Sequence, residues 1–484
     1  MAVRFDLCPH AQSRTSLSNS ASSSPPPAAA PRWLSGSVRS AVFLLALPVL
    51  GEQLLNSAVS LFDVFLSGTI SAPAQSATGF AAYVDWLASL LFGLIGTGST
   101  ALVARAAGMG DSELARRTTN QSIGLCIGLG GGATMLIYTA ARTLGRLLGL
   151  DGETLDASTT YLHIASLGYV ASSITLVGAA CLRGAGNTVT PMWVLGLTNL
   201  VNIGVSSFLV FALSWGVTGV AAGTVVARCV GAVVMLAVLG ASKSELRLRP
   251  AAMIPHAPTV RRILRIGGPA LADGLVMWIG HFAFMMIITR LGSTDASTLY
   301  YTAHIIGIRI ESLSYLPAFA WAAAAATLVG QGLGASDPDR ARRAGHEAAL
   351  QGTIVITLAG VIYFLFAPQL YAAFTLYGSK PVVPAEAVRE IGVPALRMVA
   401  FFQPALALVI VYVGALRGAG DTRYPFLFTL VGISLVRLPL AYVCGHVLDG
   451  GLRGAWVGMC GDLTLRAVML GVRFARGGWV KTRV

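Results

Sequence analysis

LRGAGNT at 182–188 returns 234 residues later as LRGAGDT at 416–422, and Pro191 returns as Pro425 at the same spacing. One short match can be accident, so the test is whether its neighbours repeat in the same order. Leu102 and Val103, followed by Gly108, Asp111, Ala115, Arg116 and Arg117, recur as Leu328 and Val329, followed by Gly334, Asp337, Ala341, Arg342 and Arg343, an offset of 226. GVTG at 216–219 recurs as GLRG at 451–454, and Pro48 recurs as Pro269, 221 positions on. Four matches in one order describe a duplicated chain.

The duplicated unit is made for lipid. Of 484 residues 55% are hydrophobic and only 11% are charged, and the mean hydropathy is +0.71. A soluble domain carries about 25% charged residues to cover its surface. A bilayer core about 30 Å thick is crossed by roughly 20 apolar residues, and backbone inside it must bond to itself, so the apolar runs predict helices. The alternation of an outer-membrane barrel is absent. Twelve spans are predicted, at 41–66, 79–103, 119–141, 158–182, 189–213, 215–240, 262–290, 299–330, 347–370, 390–416, 424–447 and 452–473. The eighth is long for one crossing and is expected to tilt or to end outside lipid. The fold class is therefore an all-α integral membrane protein with two pseudo-symmetric six-helix lobes, 41–242 and 262–473, joined by a basic linker at 243–261. Six spans per half is an even number, so the copies share one orientation about an axis along the membrane normal, an arrangement suited to alternating access. The 55 glycines suit close helix packing.

The net charge of +13 is a topology signal. Twenty-three Lys and Arg fall on the side holding both termini and the even-numbered loops, against six on the other. Positive residues stay inside, so both termini are expected in the cytoplasm and nucleic acid is not an expected partner. Residues 1–40 form a Ser/Pro/Ala-rich tail expected to be disordered, and 474–484 a short basic tail. The N-terminal tail has no apolar h-region, so it is not a secretory signal. Its acid-poor, Arg- and Ser-containing composition leaves open an organelle transit peptide, in place of the plasma (inner) membrane expected otherwise. Six scattered cysteines without a CxxC pair read as packing residues. His163, His281 and His304 lack ligand spacing, so no metal is expected, and no Walker A motif points to ATP. Tyr83, Trp86, Trp278, Tyr300, Tyr301, Tyr315 and Trp321 could stack on flat ligands, although interface belts and core packing account for most such rings.

Acids inside spans cost about 2.5–3.5 kcal/mol each, so each asks for a reason. They are Glu52, Asp63, Asp85, Asp273, Glu311 and Asp462. The offsets make Glu52 equivalent to Asp273 and Asp85 equivalent to Glu311. Such matched acids either line a central cavity that attracts organic cations, or satisfy backbone near the prolines or pair with Arg228, Arg309, Arg397 or Arg437. Asp462 and Arg466, four apart on one helix, predict a local ion pair. Asp63 differs, because its counterpart is Phe284. An acid kept in one half suits cation coupling, since one carboxylate can exchange a proton or hold Na⁺; the alternative is a protonated Asp bonded to a neighbour.

LPVLGEQLLNSAVSLFDVFLSG (47–68), LRGAGNT (182–188), TLVGQGLGASDPDRARRA (327–344) and LRGAGDTRYP (416–425) resemble the multidrug and toxin extrusion (MATE) family, over about 41–473. The resemblance implies two six-helix lobes in a V that export cationic or amphipathic compounds in exchange for H⁺ or Na⁺. It implies that Asp63 matches the family's first-helix aspartate in the N-lobe cavity, Pro48 the proline whose kink is linked to that aspartate, and Asn202 and Thr224 polar residues sharing its cavity. Two departures stand out. Ser206 occupies a place where Asp is common, and Met277 and Leu406 stand where a sodium-type C-lobe site would have Glu and Asp. The expectation is therefore a monomeric secondary exporter of small organic molecules, not an enzyme, with the bilayer around it and no cofactor beyond its coupling ion, H⁺ ahead of Na⁺. A lipid-linked precursor flippase would instead need a strongly cationic cavity, and a membrane-embedded enzyme a His/Asp or His/Glu constellation at a span end.

Overall fold

The computed structural model describes residues 36–241, 246–292, 294–376 and 383–482, so most of the N-terminal tail, Lys243 and Lys380 lie outside the described residues. The helices are α1 (Val38–Gly68), α2 (Ala72–Met109), α3 (Ser112–Leu147), α4 (Gly152–Ser166), α5 (Tyr169–Gly184), α6 (Val189–Ser207), α7 (Gly216–Ala241), α8 (Ala257–Ile288), α9 (Thr294–Gly334), α10 (Pro338–Leu376), α11 (Ala385–Ala400), α12 (Gln403–Gly418), α13 (Arg423–Val431), α14 (Leu438–Tyr442) and α15 (Gly451–Ala475). Among the described residues there is no strand. Ten stretches are long and apolar enough to cross a bilayer, and counting the bent pairs α4–α5 and α11–α12 as one crossing each gives twelve.

The repeated motifs fold into repeated turns. In both copies of LRGAG the last glycine takes a left-handed conformation, Gly186 at φ 91° and Gly420 at φ 84°. The chain then bonds back in the same pattern. Gly186 N donates to Arg183 O and Asn187 N to Leu182 O, and Gly420 N donates to Arg417 O and Asp421 N to Leu416 O. That 5→2 plus 6→1 pattern ends a helix with its carbonyls satisfied, and the positive φ is why glycine sits there. The second motif repeats a cap: Asp111 Oδ1 accepts from Leu114 N at 2.9 Å, and Asp337 Oδ1 from Arg340 N at 2.8 Å.

The structure adds detail to three sequence readings. Spans four and ten are not single rods; they bend by 53° and 57°. The second break meets Pro404 at the start of α12, a residue with no N–H to continue a helix. Span eleven is interrupted by π turns at Gly432–Arg437 and Val443–Val447. The second matches a π turn at Phe208–Ala212 in span five, whereas the places equivalent to the first are plain α-helix in α6. The linker and the C-terminal tail also take up defined structure. α8 starts inside the expected linker, and the chain before it is held on α3 by two side-chain amides. Asn120 bonds the backbone of Arg247 and Arg249, and Gln121 that of Ala252, Ile254 and His256. The expected C-terminal tail folds back: Trp479 is fully buried and stacked on Phe474 at 4.7 Å.

The leading helices exchange ends. Ala41, Val42, Leu45, Ala46 and Val49 of α1 sit in a core built by α9, α10, α12 and α15 of the other half. Ile263 and Ile266 of α8 sit reciprocally in the core of α2, α3, α5 and α7. The far ends return home, Leu66 to the N-terminal lobe and Phe284 and Ile288 to the C-terminal lobe. Pro48 and Pro269 lie inside these helices near the crossover, where a missing N–H leaves the rod bendable. Both lobes therefore meet at the end carrying the termini. There Thr327 donates to Arg183 O, Gln331 to Gly184 O, and Arg105 to Thr482 O. Gly108 lets α2 pass so close to α9 that a Cβ would collide with the carbonyl of Gln331.

Candidate functional site

A cavity of about 600 Å³ lies within the N-terminal lobe, walled by α1, α2, α4, α5, α6 and α7. That is room for a drug-sized molecule, for which pockets of roughly 300–1,000 Å³ are usual. Its charged lining is Glu52 and Asp63 from α1, Asp85 from α2, Arg183 from α5 and Arg228 from α7.

The arginines are committed. Arg183 Nη1 donates to both oxygens of Glu52, at 2.9 and 3.0 Å. Arg228 Nη2 donates to Asp85 at 2.7 Å and lies over the Tyr169 ring. Asp63 has neither kind of partner: it is half-buried, and among the described residues its buried Oδ1 has no hydrogen-bond partner. With two acids matched to two bases, the ionised Asp63 leaves the cavity with one uncompensated negative charge. A proton or an organic cation can supply the balance.

Asn202 and Thr224 line the same cavity and are joined, Asn202 Nδ2 donating to Thr224 Oγ1 at 3.2 Å. The Thr224 hydroxyl in turn donates to Val220 O at 3.0 Å, and Asn202 Oδ1 is buried with no hydrogen-bond partner among the described residues. Ser206 is fully buried and is not part of the lining; it packs into the space left by Gly223 of α7. Pro48 is likewise outside the lining and acts on α1 itself. Trp86, half-exposed, is an aromatic wall of the cavity, whereas Trp321 belongs to the core and donates to Gln351.

Asp273 and Glu311 do not line this cavity. Asp273 is bonded by Arg417 at 2.7 Å, the same contact that Arg183 makes with Glu52. Of the arginines named as possible partners, Arg228 takes Asp85 and Arg437 takes Asp462, whereas Arg309 and Arg397 are exposed. Sequence reading thus missed Arg183 and Arg417. The signal was present, since an acid and an arginine that each recur in both halves are a candidate pair. Asp462 holds more than its expected local partner, taking Arg466 at 2.8 Å and Arg437 at 2.6 Å.

The MatE family model matches residues 48–208 and 269–443, opening on Pro48 and on its counterpart Pro269. "Probable multidrug resistance protein NorM" of Thermotoga maritima is 32% identical over 92% of this chain and 94% of its own length. Among solved structures, one described as the "Outward-facing conformation of a multidrug resistance MATE family transporter of the MOP superfamily" superposes with a TM-score of 0.86 at 22% identity, covering 94% of this chain and 99% of that one. A MOP superfamily transporter from Pyrococcus furiosus, described by a "reverse polarity of binding pocket", does so at 0.86 and 21%, again over 94% and 99%.

Proposed function

This chain belongs to the MatE family of membrane transporters, which are not enzymes, and on that premise we propose that it exports cationic or amphipathic organic compounds in exchange for H⁺. The transported molecules occupy the N-terminal lobe cavity, and the two lobes rock about the bendable centres of α1 and α8 to expose it alternately to each side. The chain works as a monomer in the plasma (inner) membrane with both termini in the cytoplasm.

One observation carries the reading: Asp63 is the cavity acid without an arginine. Proton and cationic substrate compete for that one charge, and this competition is exchange. H⁺ is preferred over Na⁺ because Ser206, buried behind the wall, stands where a second carboxylate is common, which leaves Asp63 as the one unpaired acid of the lining. A lipid-linked precursor flippase would call for surplus positive charge in the cavity, and this lining has none once Glu52 and Asp85 take its arginines.

The test is export of ethidium, read as its uptake into everted vesicles, under an imposed ΔpH or ΔNa⁺, for wild type and Asp63→Asn. Efflux driven by ΔpH in wild type and lost in the variant supports the reading. Unimpaired coupled efflux in Asp63→Asn removes Asp63 from the mechanism, and ATP-driven efflux without either gradient removes antiport altogether.

A further inference from the structure

The C-terminal lobe buries an acid that the cavity does not use. Glu311 of α9 is fully buried, and among the described residues neither of its carboxylate oxygens has a hydrogen-bond partner. On the same face of α9, two turns nearer the end of the lobe away from the termini, His304 is also fully buried. Its Nδ1 accepts from Trp456 Nε1 at 3.1 Å, and its Nε2 has no partner.

Beside them lies a charge imbalance. Asp462, fully buried, is the single carboxylate bonded by the guanidinium groups of both Arg437 and Arg466. One carboxylate balances one guanidinium, so this group carries a surplus positive charge in a lobe interior, where an unmatched charge is costly. The titratable groups around Glu311 are Tyr315 on its own helix, Tyr363 from α10, Arg437 from span eleven and Cys460 from α15. From α8 come Asp273, engaged by Arg417, and half-buried His281, whose ring is 6.1 Å from that of His304. Tyr371 of α10 is turned to Ala303 O, and Arg397 of α11 to Phe364 O. Glu311 is thus the acid left to answer the surplus charge.

Arg437, the cation among these neighbours, sits on an irregular element. Arg437 ends the π turn Gly432–Arg437, which has no equivalent in the N-terminal half, and Pro439 follows at once. At the repeat offset Arg437 falls on Ile203, so the cation, like the π turn, belongs to this lobe alone. π turns inside helices are found frequently at functional sites.

We propose that Glu311 is a second proton-binding site, which as carboxylate is the counter-ion of Arg437 and as carboxylic acid leaves Arg437 wholly to Asp462. Uptake forms one O–H bond on Glu311 with a proton from water, release breaks it and returns the proton to water, and no electrons are exchanged. The site is a property of the folded chain; its contribution to export rests on the transport reading above.

The experiment is pH-difference infrared spectroscopy of the full chain in lipid, observing the carboxylic C=O stretch of a protonated buried acid. Wild type and Asp63→Asn are expected to show such a band rising as pH falls. Glu311→Gln should lose it, and Glu311→Asp should keep it at a displaced midpoint. A wild-type spectrum without the band at any pH overturns the proposal, whether or not the variants fold, and so does a band that survives intact in folded Glu311→Gln. A wild-type chain that shows the band yet moves ethidium under neither gradient overturns the export reading and supports the site. One that exports under ΔpH without the band does the reverse.

Discussion

In the N-terminal lobe Arg183 reaches Glu52 at 2.9 Å, and in the C-terminal lobe Arg417 reaches Asp273 at 2.7 Å, in places the duplication makes equivalent. The surroundings differ. Glu52 opens onto a cavity of about 600 Å³, while the Asp273 side chain is only 8% exposed. Beyond these pairs the lobes diverge in charge. The N-terminal lobe keeps an acid without a base, Asp63, where its partner lobe has Phe284. The C-terminal lobe keeps a base beyond its acid, Arg437, where its partner lobe has Ile203. The frame is built by what the copies share, and the chemistry lies in what each has alone.

Four changes probe that comparison. The largest effect is expected from Asp63→Asn, which should abolish ΔpH-driven ethidium efflux while leaving stability within about 1 kcal/mol, as it removes no observed bond. Thermal unfolding alongside efflux separates the two readouts, and a variant lost to misfolding would show Asp63 to be structural. Next is Arg417→Ala, which strands the buried Asp273 and should cost about 3–5 kcal/mol in unfolding. Arg183→Ala should cost less, about 1–3 kcal/mol, because Glu52 can be hydrated from the cavity. Equal losses for the two arginines would mean that the cavity does not relieve Glu52, and the contrast between lobes would fail. The smallest effect is expected from Thr224→Val, which removes the 3.2 Å bond from Asn202 and should cost about 1 kcal/mol. A slowed efflux in that variant at unchanged stability would place the Asn202–Thr224 pair in the coupling path.

The spans were legible because crossing a bilayer imposes a length and a composition on a contiguous segment, and the two turns were legible because their glycines and caps act within a few residues. Pro404 could have announced the break in span ten, but the bend of span four at Leu167 and Gly168 leaves no comparable mark. Ser206 shows the limit at the site. It is four residues after Asn202, so one turn along α6, yet Gly223 of α7 takes it out of the cavity. Helical spacing says which residues share a face, and the neighbouring helix decides what that face meets.

By itself the sequence determined the duplication, the all-helical membrane-spanning class and the solitary place of Asp63, since each follows from segment composition or from comparing the chain with itself. Only the tertiary structure decided that Glu52 and Asp273 are held by Arg183 and Arg417, across 131 and 144 residues of chain. It alone decided that α1 and α8 begin in each other's lobe, that Asp462 is claimed by two arginines, and that Glu311 is buried with no hydrogen-bond partner among the described residues. The physical reason is that burial and counter-ion choice depend on which helix faces pack together, a property of the assembled bundle that no single segment carries.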